Sequence, residues 1–358
     1  MTEKQSLARR LGVRTAAVLV SLALALGAAE LFARWANPFG ISYYRDTNRY
    51  FNMVIDLPPD AARPDGRLFQ HRPNARLELP DFTLVTDALG LRSASAEDGV
   101  TRDRTGASAG KARVLFLGDS VTLGWGVDDE ETWVRTLERE GRFADGRALE
   151  CLNAGHLQYN TLQEHDWLAT FGPGLAPDAV VLTFVVNDLD DAWATYQELQ
   201  RLLAAEGAAG GPRPLESARR RLLGSFPGLN CLWTFAASRG AAETVGELHL
   251  KRVEDAPGYA EGWARSAAAL ERMRAFCAER GLPFVVLDHT TPRIPDVERW
   301  CRGAGVPWYD LTFTDGEWAR DVRNSLADSH ANALGNRLLA DKALRALRAA
   351  RVLAEEGG

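Results

Sequence analysis

Four short stretches carry side chains that could do chemistry: Gly118-Asp119-Ser120, Asn153-Ala154-Gly155-His156, Val186-Asn187-Asp188 and Asp328-Ser329-His330. A serine hydroxyl becomes a nucleophile when a neighbouring base takes its proton. Imidazole, with a pKa of about 6.5, can take that proton and return it near neutral pH. Gly155 permits close backbone approach to a ligand, and Asn187 offers an amide donor. Donors aimed at an oxygen that turns negative are each worth about 10² to 10³ in rate. Hydroxyl, base, orienting group and donors are the parts that acyl transfer requires. A Gly-Asp-Ser tripeptide alone arises by chance in about one chain in ten of this size, given average residue usage. The information therefore lies in where these stretches fall.

They fall at the ends of strands. RVLFLG (113–118), ALECLN (148–153), DAVVLTFVV (178–186), PFVVLD (283–288) and VPWYDL (306–311) are continuous apolar runs. Between them lie helical stretches such as ETWVRTLERE (131–140), TLQEHDWLATF (161–171) and EGWARSAAALERMRAFCAER (261–280). Such alternation predicts a parallel sheet covered on both faces, a three-layer α/β/α sandwich. Ligands of open parallel sheets collect beyond the carboxyl ends of the strands. A serine on the turn leaving a buried strand presents its hydroxyl at that rim, beside the N–H groups of the next helix. His330 precedes Asn332, Gly335 and a helical run through Leu338, Leu339, Ala343 and Leu344.

In this order the four stretches resemble the SGNH (GDSL-type) hydrolase family, over about Ala112 to Leu353 apart from an insertion at 189–257. The chain is particularly similar to membrane-anchored bacterial members, in which a short annex ending near a G-x-R element, here Gly90-Leu91-Arg92, precedes the serine block. The resemblance implies a flavodoxin-like sheet, Ser120 as nucleophile and His330 as general base. It implies Gly155 and Asn187 as oxyanion donors beside the Ser120 backbone N–H, with no metal and no cofactor. Three departures stand out. The orienting acid is usual three residues before the histidine, where this chain has Ala327, and an acid comes two before, at Asp328. Either Asp328 reaches the imidazole from a shifted turn, or a backbone carbonyl orients it. Val185 replaces a glycine beside Asn187, and Gln158 stands where many relatives keep another. His156 and His289 compete for the base role, with hydrogen-bonded structural histidines as the commoner outcome. Trp125 and Trp193 could stack on a sugar, although such aromatics are more often buried. Asp188 is expected to cap a helix or brace its loop.

At 358 residues, with 46% apolar and 25% charged, the chain is neither disordered, collagen-like nor a many-pass membrane protein. Its 42 basic and 48 acidic residues give a net of -6 without a basic stripe, which excludes nucleic acid as a partner. Thr15 to Ala29 is uncharged, follows Lys4, Arg9, Arg10 and Arg14, and is extended by Leu31, Phe32 and Trp35. This reads as a cytoplasmic basic segment (1–14) and a single-pass signal-anchor (15–35), with everything after it extracytoplasmic. The alternative is a signal peptide cut before Glu30, with Gly27 and Ala29 as the small residues, and a secreted product. Five basic and two acidic residues in 1–37 leave +3 there and -9 in the remainder.

A β annex is expected at 36–92, where RLFQHRPNARLEL (67–79) and DFTLVTDALGLR (81–92) read as strands able to pair as a hairpin. A polar linker follows at 93–111, then the hydrolase domain at 112–353. The insertion could cover the site as a lid or pack as an ordinary helical excursion. Cys151, Cys231, Cys277 and Cys301 are too few and too scattered for a disulfide scaffold or zinc site and are expected as buried thiols. Nothing in the sequence sets an oligomeric state. The resulting expectation is an exported, membrane-tethered serine esterase acting on short acyl esters, O-acetyl among them, of an envelope glycan or lipid. An O-acyltransferase modifying an exported polysaccharide and a catalytically silent binding or assembly module on the same fold are the alternatives.

Overall fold

The computed structural model describes residues 3–36, 40, 42–57, 68–95, 104–189, 259–291, 293–325 and 328–355. Apart from Leu189 the insertion, with Trp193 and Cys231, lies outside these residues, as do 96–103 of the polar linker. Helix α1 (Glu3–Ala36) contains a 21-residue apolar span, Gly12–Phe32. At 1.5 Å per residue the span is about 31 Å long, close to the roughly 30 Å hydrocarbon core of a bilayer. Val18, Leu19, Leu22, Leu24, Leu31 and Phe32 are all exposed, so α1 is not a core helix. It is long and apolar enough to cross a membrane.

The annex begins with a helix that the run of short strands does not forecast, α2 (Ser42–Tyr50). Four three-residue strands follow: β1 (Val54–Asp56), β2 (Phe69–His71), β3 (Arg76–Glu78) and β4 (Thr83–Val85). The stretch 67–79 is not one strand, which corrects the simple hairpin expected from it. It breaks after His71 at Pro73-Asn74, where Asn74 takes φ +52. Antiparallel β2 pairs back with β1, and β3 pairs with β4. Strands this short are not stable on their own. Tyr50, Phe69, Phe82 and Leu84 accordingly share one hydrophobic cluster with Leu115, Leu117 and Trp167 of the larger sheet domain. The last part of the polar linker is pinned as well, by an Arg104–Asp178 ion pair at 2.5 Å.

The remaining elements are β5 (Ala112–Leu117), α3 (Ser120–Leu123), α4 (Trp133–Glu140), β6 (Leu149–Asn153), α5 (Thr161–Leu175) and β7 (Ala179–Phe184). After the insertion come α6 (Tyr259–Glu279), β8 (Phe284–Asp288), α7 (Pro295–Ala304), β9 (Trp308–Asp310), α8 (Asp315–Trp318) and α9 (Ala333–Ala349). The sheet is parallel with order β6-β5-β7-β8-β9. Side chains alternate between its faces with the period of two that strand geometry imposes. Leu115, Leu117, Val180, Leu182 and Val286 join Trp167, Leu270, Met273 and Val297 of α5, α6 and α7. Val114, Phe116, Val181 and Val285 join Trp133, Leu137, Leu339 and Ala343 of α4 and α9. Both strand faces are thus buried, and this is the three-layer α/β/α sandwich. The order reverses between β5 and its two neighbours, and at such a switch point a crevice opens at the carboxyl ends of the strands. Cys151, Cys277 and Cys301 are buried free thiols.

Candidate active site

Ser120 is the first residue of α3, on the turn out of β5. Gly118 makes the turn possible: its φ is +153, and a Cβ there would lie 2.1 Å from Thr122 Oγ1. Asp119 caps the helix, its Oδ1 accepting the Val121 N–H at 2.9 Å. The Ser120 N–H sits in the first helical turn, where the helix itself offers an amide no acceptor. Ser120 is only 6% exposed.

His330 arrives from the loop between α8 and α9, 210 residues away in sequence, and its Nε2 lies 2.7 Å from Ser120 Oγ. Its Nδ1 lies 2.6 Å from Asp328 Oδ1. The same Asp328 oxygen accepts the His330 backbone N–H at 3.1 Å. This is an Asx turn, in which a side-chain oxygen reaches an amide two residues on. It explains how an acid at the shortened spacing meets the imidazole, so no backbone carbonyl takes that place. With Nδ1–H donated to Asp328, Nε2 is left to accept the serine proton. The Ser120 hydroxyl has a second acceptor, Asp119 Oδ2 at 3.0 Å. Asn332 caps α9 by accepting the Gly335 N–H, and its amide donates to Asp321 and Arg323 carbonyls, which fixes the histidine loop.

The loops after β6 and β7 close the other side. A Cβ on Gly155 would lie 2.2 Å from the Leu123 nitrogen, so the loop packs backbone to backbone on α3, as only glycine permits. The Gly155 N–H donates to Asn153 Oδ1 at 3.0 Å, and Asn153 Nδ2 donates to the Thr122 carbonyl at 2.8 Å. Asn187 is half-buried, hydrogen-bonded to Asp119 and 3.3 Å from the Tyr159 carbonyl through Nδ2. Both candidate donors thus flank the serine turn with internal partners that an oxyanion would displace. Asp188 is fully buried and braces its loop, accepting from the Val185 N–H and the Thr161 hydroxyl. Gln158 holds φ +65, the left-handed conformation that a glycine adopts without strain.

Three buried carboxyls, Asp119, Glu164 and Asp188, lie close enough together near Ser120 to repel one another. Burial raises Asp119, and burial together with mutual repulsion raises Glu164 and Asp188 well above the usual carboxylate range. Glu164 has no hydrogen-bond partner for either oxygen among the described residues, which favours its neutral form. Among the described residues no His, Cys, Asp and Glu cluster could hold a metal.

The competing histidines are structural. His156 stacks between His71, with centroids 3.8 Å apart, and Tyr159, at 4.2 Å. His156 Nδ1 pairs with the Ala154 carbonyl and its Nε2 accepts the His71 backbone N–H. His289 is half-buried against Phe313 with Nδ1 on the Leu311 carbonyl, and loss of solvent around the ring lowers its pKa. Trp125 is 2% exposed, so its faces are taken up by protein and not by a sugar.

Two annex residues belong to this neighbourhood, Tyr43, which no motif singles out, and Arg92, which closes the G-x-R element. The half-buried Tyr43 ring lies 5.9 Å from that of His330 and packs edge-on to Trp125 at 6.3 Å. Arg92 is buried, and its guanidinium donates to the carbonyls of Leu123, Gly124 and Val127 at 2.8, 2.9 and 2.5 Å. Its backbone N–H donates to the Asn153 carbonyl at 3.0 Å, so one residue ties the end of α3 to the end of β6. Burial brings Arg92 down to about 10, opposed by Asp129, and it keeps its charge at neutral pH. The only sequence trace of this role is the G-x-R element that ends the annex.

The chain is similar to known proteins as well. The family model for GDSL-like lipases and acylhydrolases matches residues 116–338, more than half of the protein, and the chain belongs to that family. It is a serine hydrolase of the kind that acts on ester bonds. Similar solved structures include the psychrotrophic esterase EstA from Pseudoalteromonas sp., 12% identical over 67% of this chain and 98% of that one, with a TM-score of 0.40. Another is the lipase/acylhydrolase from Enterococcus faecalis, 14% identical over 69% of this chain and 100% of that one, with a TM-score of 0.35. No curated protein sequence matches the chain.

Proposed function

We propose that Ser120 is the nucleophile of a membrane-tethered esterase that removes short acyl groups, O-acetyl among them, from a glycan or lipid of the cell envelope. The observation that carries the chemistry is the unbroken relay from Ser120 Oγ to His330 Nε2 and from His330 Nδ1 to Asp328 Oδ1, at 2.7 and 2.6 Å. His330 takes the serine proton as Oγ attacks the ester carbonyl, and Asp328 holds the ring and balances the imidazolium. The Ser120 N–H, Gly155 N–H and Asn187 amide serve the tetrahedral oxygen, the last two by exchanging their internal partners. Collapse expels the alcohol, which takes the proton from His330. Water then attacks the acyl-serine with His330 again as base, and the carboxylic acid and free serine result.

The envelope assignment rests on α1 as an anchor, with its basic flank in the cytoplasm. Ala36, the last helical residue, and Gly40 are four residues apart, a reach of about 14 Å at full extension. Gly40 is buried where a Cβ would lie 1.8 Å from Ser325 Oγ, and that hydroxyl accepts the Asp328 N–H. Such a short connection keeps the relay near the bilayer surface, where acylated lipids and lipid-borne glycans reside. Ser120→Ala is expected to abolish turnover of a short-chain aryl ester and labelling by a fluorophosphonate. An unchanged rate would defeat the assignment. Acyl release measured with and without an acceptor glycan separates hydrolysis from transfer to a sugar hydroxyl, and protease protection of the extramembrane part in intact cells reports its side of the membrane.

A further inference from the structure

Asp328 has two carboxylate oxygens, and the relay uses only one. Oδ1 takes both the imidazole Nδ1–H and the His330 amide. A carboxylate held through one oxygen can still swing about its Cα–Cβ and Cβ–Cγ bonds, and the Asx turn leaves little slack, since the acid stands only two residues before its histidine. Oδ2 is held from elsewhere, by Asn324 Nδ2 at 3.2 Å. The same amide nitrogen has a second hydrogen, which faces the Trp125 carbonyl at 3.3 Å. Asn324 therefore spans two loops, the one that follows the nucleophile helix and the one that carries acid and base.

The seat of this amide is built for it. Gly126 takes φ +94, and a Cβ there would fall 1.7 Å from Asn324 Nδ2, so the side chain fills space left by the absent glycine side chain. The Asn324 backbone N–H donates to the His330 carbonyl at 2.8 Å, which fixes the distance between amide and imidazole. The Asp328 N–H on Ser325 Oγ and the Ser325 N–H on the Asp328 carbonyl tie these two residues together. Among the described residues, the hydrogen bonds to the Asp328 carboxylate thus come from the His330 ring and amide and from the Asn324 amide.

Resting on the hydrolase reading above, we propose that Asn324 is a positioning residue of this enzyme, which locks the Asp328 carboxylate against His330 and couples it to the Ser120 turn through Trp125. It takes over the orienting work that the shortened acid-to-histidine spacing leaves undone. An amide suits the place because it donates two hydrogens from one nitrogen without adding charge, whereas a carboxylate would face Asp328 with like charge.

The test uses full-length protein and a soluble short-chain aryl ester. Asn324→Ala is expected to lower kcat about 10- to 100-fold with KM within about twofold, because the relay and not substrate binding is loosened. Asn324→Asp places a second carboxylate beside Asp328, which favours the protonated imidazole, and the acidic limb of the kcat/KM profile moves up by about one pH unit. A merely structural asparagine would lower the thermal midpoint in Asn324→Ala without this separation of kcat from KM. The proposal is overturned if Asn324→Ala keeps its kcat within about twofold, or if Asn324→Asp leaves the acidic limb where the parent has it. Ser120→Ala in the same assay keeps the two readings apart. An active Ser120→Ala enzyme defeats the nucleophile assignment, whereas an inactive one beside a fully active Asn324→Ala enzyme defeats only the role of Asn324.

Discussion

Two histidine sites stand at the same end of the sheet, and they have opposite characters. His330 bridges a carboxylate and a hydroxyl at the rim. His71, from β2 in the annex, is buried and stacked on His156. Its Nε2 lies 2.6 Å from the Tyr50 hydroxyl and its Nδ1 3.0 Å from the Gly90 carbonyl. The carbonyl can only accept, so Nδ1 carries the hydrogen, Nε2 accepts from Tyr50, and Tyr50 in turn accepts the Leu157 N–H at 3.1 Å. One ring is supplied with a carboxylate that could balance a positive charge on it. The other is supplied with neutral partners that satisfy it uncharged. The contrast teaches that the role of a histidine here follows from the hydrogen-bonding groups delivered to its two nitrogens, not from its place beside a motif.

Substitutions that trade on this contrast should differ most in catalysis. His330→Ala is expected to lower kcat/KM by about 10⁴ or more, and Asp328→Asn by about 10² to 10⁴, with little change in thermal midpoint. His71→Gln should leave kcat within about tenfold while lowering the midpoint. Steady-state kinetics paired with thermal unfolding checks both halves. A catalytic loss in His71→Gln as deep as that in His330→Ala would erase the distinction.

The next effect is on stability against pH. Burial, with the nearby Arg92 charge a lesser cause, drives the folded His71 ring down to about 4, against about 6.5 in the unfolded chain. Between those values the unfolded chain binds a proton that the folded one does not. This contribution is therefore complete above about pH 6.5, is lost as the pH falls towards 4, and amounts to about 3 kcal/mol. Denaturant unfolding of the parent and His71→Gln proteins across that window should show the difference between the two curves shrinking as the pH drops. Parallel curves would show that His71 takes a proton in the folded state.

Smallest is the effect of Tyr50→Phe. It removes the donor to His71 Nε2 and the acceptor of the Leu157 N–H, both buried, at a cost of about 1 to 3 kcal/mol. Because Leu157 lies just beyond Gly155 and His156, the loop should loosen slightly, and a change in kcat of no more than a few-fold is expected. Urea unfolding and steady-state kinetics measure the two parts.

Much of this site is legible in the chain itself. Continuous apolar runs mark strands buried on both faces, and the residues just after β5, β6 and β7 are Ser120, Gly155 and Asn187. Local covalent geometry carries such information: a period of two, a tight turn that demands glycine at 118, and a helix start that caps itself with Asp119. The annex is less legible. Its strands are three residues long, too short to show a period, and 67–79 divides at Pro73-Asn74 between two partners. The work of Arg92 cannot be read from its neighbours, because its three carbonyl acceptors lie more than thirty residues further on. Nor can the setting of Tyr43, whose ring meets His330 from the other end of the chain.

The sequence by itself determined the fold class, the strand ends at which chemistry could occur, and an N-terminal helix apolar enough to enter a membrane, because each depends on residue type and short-range spacing. Only the tertiary structure decided which histidine meets the serine, that an acid two residues before it can serve, and that the annex shares the core on which the site is built. Those outcomes depend on where hydrogen-bond donors and acceptors from distant segments come to rest. A difference of an ångström or a rotated ring separates a relay from a satisfied structural pair, and no local pattern in the chain specifies it.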